Sequence, residues 1–280
     1  MNRTAFGAFT LVAALGIAVN VADAQPVDLS KYPAWEGKWG RDPGPPRYDP
    51  SKPGRRGQQP PLTPEHQKIF EASLKDQEAG GQGNDTTHRC IPVGMPRQAT
   101  SGFPIDINIT AKAVIILFES SFSSPRKIHT DGRDWPKDPI PTFAGHSIGK
   151  WSDTDGDGRF DTLEVETRNI RGPKTWDQTG MPMADDGAAI VKERISIDKA
   201  NPNVLRNEMT TTDNSLTRPW TGTTIYRRTT ANVLWREDSC LANPYITIEK
   251  QVFMLGGDGK LMPMKKDQGP PDLTYFKPAR

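Results

Sequence analysis

Hydrophobic and polar residues alternate cleanly at Ile105-Asp106-Ile107-Asn108-Ile109, the period of a strand with one buried face. A wholly apolar run of strand length follows at Ala113–Phe118. Further strand-like stretches occupy residues 146–151, 160–170, 190–197, 204–212, 223–228 and 233–237. Turn formers such as Asp131-Gly132, Gly172-Pro173 and Asn201-Pro202-Asn203 separate them. Strands that follow one another with short connections and no intervening helix predict a mainly β fold, an antiparallel meander. Closing such a meander into a barrel removes the edges that invite aggregation. A two-sheet β-sandwich satisfies the same alternation and stays open as the alternative.

The pattern turns helical once, near the N-terminal side. Thr63 is a suitable N-cap, Pro64 fits the first helical position, and Glu65 suits the positive end of the helix dipole. Ile69, Phe70 and Leu74 supply a narrow apolar stripe and Gly80-Gly81 stops it, which predicts one short helix over residues 64–79. Residues 25–62 are rich in Pro, Gly and charge, and read as an extended arm whose Trp35 and Trp39 dock on the core. The β-barrel domain with its leading helix is expected over 63–250, and residues 251–280 as an extended C-terminal tail.

Composition adds a compartment. Arg3, the apolar run 5–21 and Ala22-Asp23-Ala24 form the three regions of a cleavable signal peptide over residues 1–24, which predicts a periplasmic or secreted protein. A membrane anchor is the rival reading of that run; no other stretch is apolar enough to span a bilayer. The net charge of +2 comes from 36 basic and 34 acidic residues that are well mixed, so a nucleic-acid partner has no electrostatic footprint. The two cysteines, Cys90 and Cys240, lack metal-type spacing and in an exported chain are expected to form one disulfide. Nothing in the pattern speaks to oligomeric state.

The sharpest local signal lies between two of the expected strands. Asp153-Thr-Asp155-Gly-Asp157-Gly158-Arg-Phe-Asp161-Thr-Leu-Glu164 fits D-x-D-x-D-G-x5-E, and calcium needs such a set of hard oxygen ligands on a tight turn. The expected ligands are Asp153, Asp155, Asp157, the Arg159 carbonyl, and Asp161 or Glu164. Strands on both sides, where an EF-hand has helices, make this a calcium-stapled hairpin with a structural role. An acidic surface turn without an ion is the alternative.

Candidate chemistry gathers at residues 128–136 and 141–146, where His129, Asp131, Arg133 and His146 lie beside aromatic residues, a mixture suited to general acid–base work. The plainer reading makes Asp131-Gly132 a turn that Arg133 braces. Glu119 shares parity with Ile115 and Leu117, so it enters the interior if they do. No P-loop, H-E-x-x-H or dinucleotide fingerprint is present, and His66, His88, His129 and His146 are scattered, so no organic cofactor is expected.

Taken together, Thr130-Asp131-Gly132-Arg133, Pro141-Thr142-Phe143, Ser147-Ile148-Gly149-Lys150-Trp151 and Leu163-Glu164-Val165-Glu166-Thr167 resemble a family of exported bacterial proteins of unknown function. The likeness continues through Lys192-Glu193-Arg194, Leu216-Thr217-Arg218-Pro219-Trp220 and Glu237-x-x-Cys240. It implies an exported, lipocalin-like barrel and carries no reaction with it. Glu119, Asp131, Arg133 and Glu193 fit the shared pattern, whereas the acidic loop and His129 depart from it. Three functions follow: a barrel binding a small apolar or aromatic molecule, with Arg133, Glu119 or Arg194 fixing its orientation; a cofactor-independent isomerase, lyase or hydrolase; or an interaction module of the cell envelope.

Overall fold

The computed structural model describes residues 29–42, 59–119, 123–230, 245–249, 251–255 and 261–263. The signal-peptide segment, the strand expected at 233–237, Cys240 and most of the tail lie outside the described residues. Nine strands close a barrel: β1 (Gly37–Arg41), β2 (Ile105–Ile109), β3 (Ala113–Phe118), β4 (Arg126–His129), β5 (His146–Ser152), β6 (Thr162–Arg168), β7 (Ile190–Asp198), β8 (Asn201–Thr212) and β9 (Trp220–Arg228). β1 closes the ring by pairing with both β2 and β9. A separate three-stranded sheet holds β10 (Tyr245–Ile248), β11 (Gln251–Leu255) and β12 (Leu261–Pro263).

Two features depart from the simple meander. β1 lies inside the stretch read as an arm, because the single buried residue of its Gly37–Arg41 pattern, Trp39, gives alternation too little to show. β4 and β5 run parallel through only Ile128↔Ser147 and His129↔Ile148, with residues 130–145 returning the chain, so the barrel is mixed. The interior face along β3 is Val114, Ile116 and Phe118. Ile115 and Leu117 are only half-buried, so the condition that would carry Glu119 inward is not met. An apolar run cannot declare its own parity; only its neighbours set it.

The inner faces are mainly apolar, while Lys127, Lys150, Glu164, Lys192, Arg194 and Glu208 are exposed on the strands. That is the reverse of a barrel whose outer wall faces lipid. Among the described residues no helix is long and apolar enough to cross a membrane.

Both ends are covered. At the end where β2 finishes, Trp35 from the segment before β1 packs at a tilt against Trp151 with ring centroids 4.9 Å apart, and Tyr32 and Phe160 complete an aromatic plug. At the other end sit helix α1 (Pro64–Glu78) and the four-residue helix α2 (Arg97–Thr100). There Phe70, Met95, Trp176, Met181 and Leu216 form a second core cluster. The Thr63 side chain caps α1 as its sequence suggests, accepting from the His66 N–H.

Candidate functional site

Among the described residues the barrel core contains one group of charges. Arg126 on β4 is 1% exposed and Glu193 on β7 is 4% exposed. The guanidinium grips both carboxylate oxygens of Glu193, one at 2.9 Å from Nη1 and the other from Nη2. Arg126 Nη2 also donates to Thr167 Oγ1 at 2.9 Å, and Nε reaches Ser147 Oγ at 3.4 Å. The Ser147 and Thr167 hydroxyls bond each other at 2.8 Å. Asn207 on β8 donates from Nδ2 to Glu193 Oε1 at 2.8 Å. Side-chain bonds thus cross the interior from β4 to β5, β6 and β7 where the backbone ladder between β4 and β5 is shortest. Gly149 keeps this seam tight: a Cβ there would meet Ile128 Cγ2 at 2.8 Å.

Beside this network lies a chamber of about 20 Å³, walled by Ile107, Ile116, Leu163, Leu205 and other apolar side chains. Trp35 bounds it on the plug side and Ala99 of α2 on the cap side, since β1 and β2 are antiparallel and these residues precede them. Arg126, Asn207 and Tyr226 are its polar neighbours. Tyr226 donates to the Ala99 carbonyl at 2.9 Å, and burial pushes its phenol up, so it stays neutral. Two polar atoms of wall residues have no hydrogen-bond partner: Asn207 Oδ1 and Trp35 Nε1, on residues 5% and 1% exposed. Because Nδ2 faces the Glu193 carboxylate, the free atom of Asn207 is the acceptor. Gln98 of α2 is fully buried with both amide atoms unpaired. Leaving such groups unmade costs about 1–3 kcal/mol each, so the closed cap is under-satisfied.

The residues singled out by sequence lie elsewhere. Glu119 is half-buried at the end of β3, on the outward-pointing parity. Asp131 and Arg133 form an exposed ion pair, Nη2 to Oδ2 at 2.6 Å, and this bond holds the Asp131 carboxyl far below its usual range. That is the bracing described for the plainer reading. His129 and His146 share the outer face of β4 and β5, and the His146 Nε2 sits 2.8 Å from the Ile140 carbonyl. Burial, then the charges of Arg133 and Lys127, lower the proton affinity of His129, and its Nδ1 is buried without a partner. None of Glu119, Asp131, Arg133 and His146 walls the chamber. Arg126 and Asn207 were missed because each stands among polar neighbours on a short or alternating strand, and nothing local separates an inward arginine from an outward one.

Gly145-His146-Ser147-Ile148-Gly149 spells the G-x-S-x-G of a nucleophile elbow. That chemistry needs its serine exposed on a strand-to-helix turn. Ser147 instead lies within β5, 1% exposed and bonded to Thr167. The match is a coincidence of spacing.

The acidic loop joins β5 to β6 on the plug side. Oxygens of Asp153, Asp155 and Asp161 lie within 4.8 Å of one another. Lys199 places its ammonium 3.1 Å from Asp155 Oδ2 and 3.9 Å from Asp161 Oδ2. Asp153 accepts the Gly156 and Gly158 N–H groups, and these backbone bonds, that of Gly158 foremost, lower its pKa. Asp157 accepts from Arg159 N–H outside the triad, and Glu164 faces outward opposite Lys150 and Arg194. Of the six expected ligands, three carboxylates are therefore brought together. The adjacent Phe160 enters the aromatic plug, its N–H donating to the Lys31 carbonyl at 2.7 Å.

No family model, no curated protein and no solved structure matches this chain.

Proposed function

We propose that the protein is an exported barrel that binds a small, mainly apolar molecule in its interior, at the chamber beside Arg126, Glu193 and Asn207. The observation that carries this reading is a buried polar network with unspent hydrogen-bonding capacity next to an apolar-walled space. A buried ion pair contributes little to stability compared with well-packed apolar residues of the same volume. A few convergent polar groups on apolar walls are what an interior ligand site uses for orientation. The chamber at about 20 Å³ holds little more than one water, so a ligand enters only as a wall moves. The wall that gives way in this reading is α2, because Gln98 gains partners when it opens. Among the described tryptophans Trp35 lines the chamber, so selective indole NMR of Trp35 during titration with small aromatic molecules tests the reading. Saturable movement of that resonance supports it, and a resonance that ignores every probe overturns it.

Export, membership of the exported family that most of residues 85–245 resemble, and a Cys90–Cys240 disulfide belong to the same proposal. Mass spectrometry of the mature protein checks the first and last, through a new N-terminus at Gln25 and a cystine-linked peptide pair.

Calcium at the hairpin loop is part of the reading as an accessory. Asp153, Asp155 and Asp161 supply oxygen ligands of the hard type that calcium takes, and Lys199 offsets their charge in the ion's stead. The ion would tether the loop and, through Phe160, the plug.

A further inference from the structure

We infer that the group this chamber recognises is a hydroxyl on a neutral ligand, an alcohol or a phenol, and neither a carboxylate nor an amine cation. The inference rests on the reading that the barrel interior binds a small molecule, and it is argued from which hydrogen-bonding capacities remain unspent.

Arg126 is the obvious attraction for an anion, but its charge is already answered by Glu193 through two bonds, with Thr167 and Ser147 taking further donors. An incoming carboxylate would have to evict Glu193 or stand beside it, and two carboxylates in a dry interior repel. The free atom of Asn207 is an acceptor, which repels an anion and leaves the single Trp35 N–H as the unpartnered donor on the wall residues. A cation fares no better. The walls are apolar, and the Glu193 carboxylate is consumed by Arg126 and Asn207.

What remains without any partner is one acceptor, Asn207 Oδ1, and one donor, Trp35 Nε1, both fully enclosed and both on residues that line the same space. A hydroxyl donates once and accepts twice, so it matches either atom without adding charge. The ligand's hydrocarbon part then lies against the aliphatic walls towards α2, the side on which the cap is under-satisfied.

The test uses four probes that share a ring and differ in one group: phenol, anisole, toluene and benzoate. Their affinities for the full mature protein are measured by calorimetry, with the Trp35 indole resonance as the site reporter. Phenol is expected to bind at least about tenfold more tightly than the other three, because a buried polar pair left unanswered rejects the analogue that lacks the group. Asn207→Leu is expected to erase that preference, and Trp35→Phe, which keeps the plug and removes only the N–H, to reduce it. Anisole or toluene binding as well as phenol overturns the hydroxyl assignment and leaves the interior site standing. Benzoate binding best overturns it as well, and points to Arg126 released from Glu193. If no probe binds and Trp35 does not respond, the interior site fails and the assignment fails with it.

Discussion

Removing Glu193 alone should destabilise the barrel more than removing the whole ion pair. Glu193→Leu leaves the Arg126 guanidinium, 1% exposed, without its counter-charge and leaves the Asn207 amide without its acceptor. Breaking a buried pair in this way costs about 3–5 kcal/mol. For a domain of this size each kcal/mol moves the midpoint by about 2–4 °C, so the expected drop in Tm is about 6–20 °C. In the double variant Arg126→Met, Glu193→Leu, no charge is stranded. Ser147 and Thr167 still satisfy each other at 2.8 Å, which leaves the Asn207 amide as the main unmatched group. That group alone costs about 1–3 kcal/mol. Urea unfolding of both single variants and the double variant closes a double-mutant cycle, with an expected coupling of at least about 2 kcal/mol. Additive losses, or a Glu193→Leu loss below about 1 kcal/mol, would refute the idea that these groups form one enclosed network.

Three other outcomes follow from particular contacts. Trp35→Ala should cost about 3–5 kcal/mol by opening a ring-sized hole in the plug, and free indole at millimolar concentration should recover part of the loss in a thermal melt. Burial pushes Asp85 up, but the hydrogen bonds and charge of Arg97 more than offset this, so its folded pKa lies below that of the unfolded chain. Its contribution is therefore complete above about pH 4 and is lost as pH falls through the folded value, and Asp85→Asn should flatten that acid limb in pH-dependent urea titrations. Calcium should raise Tm in the wild-type chain and leave Asp161→Asn unmoved, while Lys199→Met, which removes the competing ammonium, should lower the calcium concentration needed.

Much of the barrel was legible from alternation, because strands such as β2 and β6 bury alternate apolar residues and their sequences say so. The helix was legible from its punctuation at Thr63, Pro64 and Gly80. β1 and β4 were not, since a strand of four or five residues holding Trp39 or Arg126 at its centre or edge has no periodicity to display. The parallel pairing of β4 with β5 depends on how residues 130–145 return, which no local pattern records. The site was less legible than the fold. Sequence draws attention to charges clustered along the chain, and Asp131 with Arg133 are such a cluster, yet they meet each other at the surface. The network inside is assembled from Arg126, Ser147, Thr167, Glu193 and Asn207, far apart in sequence and brought together by barrel closure.

The most direct test of the interior site is a crystal structure of the mature protein soaked or grown with phenol. A ring enclosed between the Ile116 and Leu205 walls, its oxygen within hydrogen-bond reach of Asn207 Oδ1, is the expected result. Phenol absent from the barrel, or held only on its outer face, with α2 and Trp35 unchanged, would contradict the account.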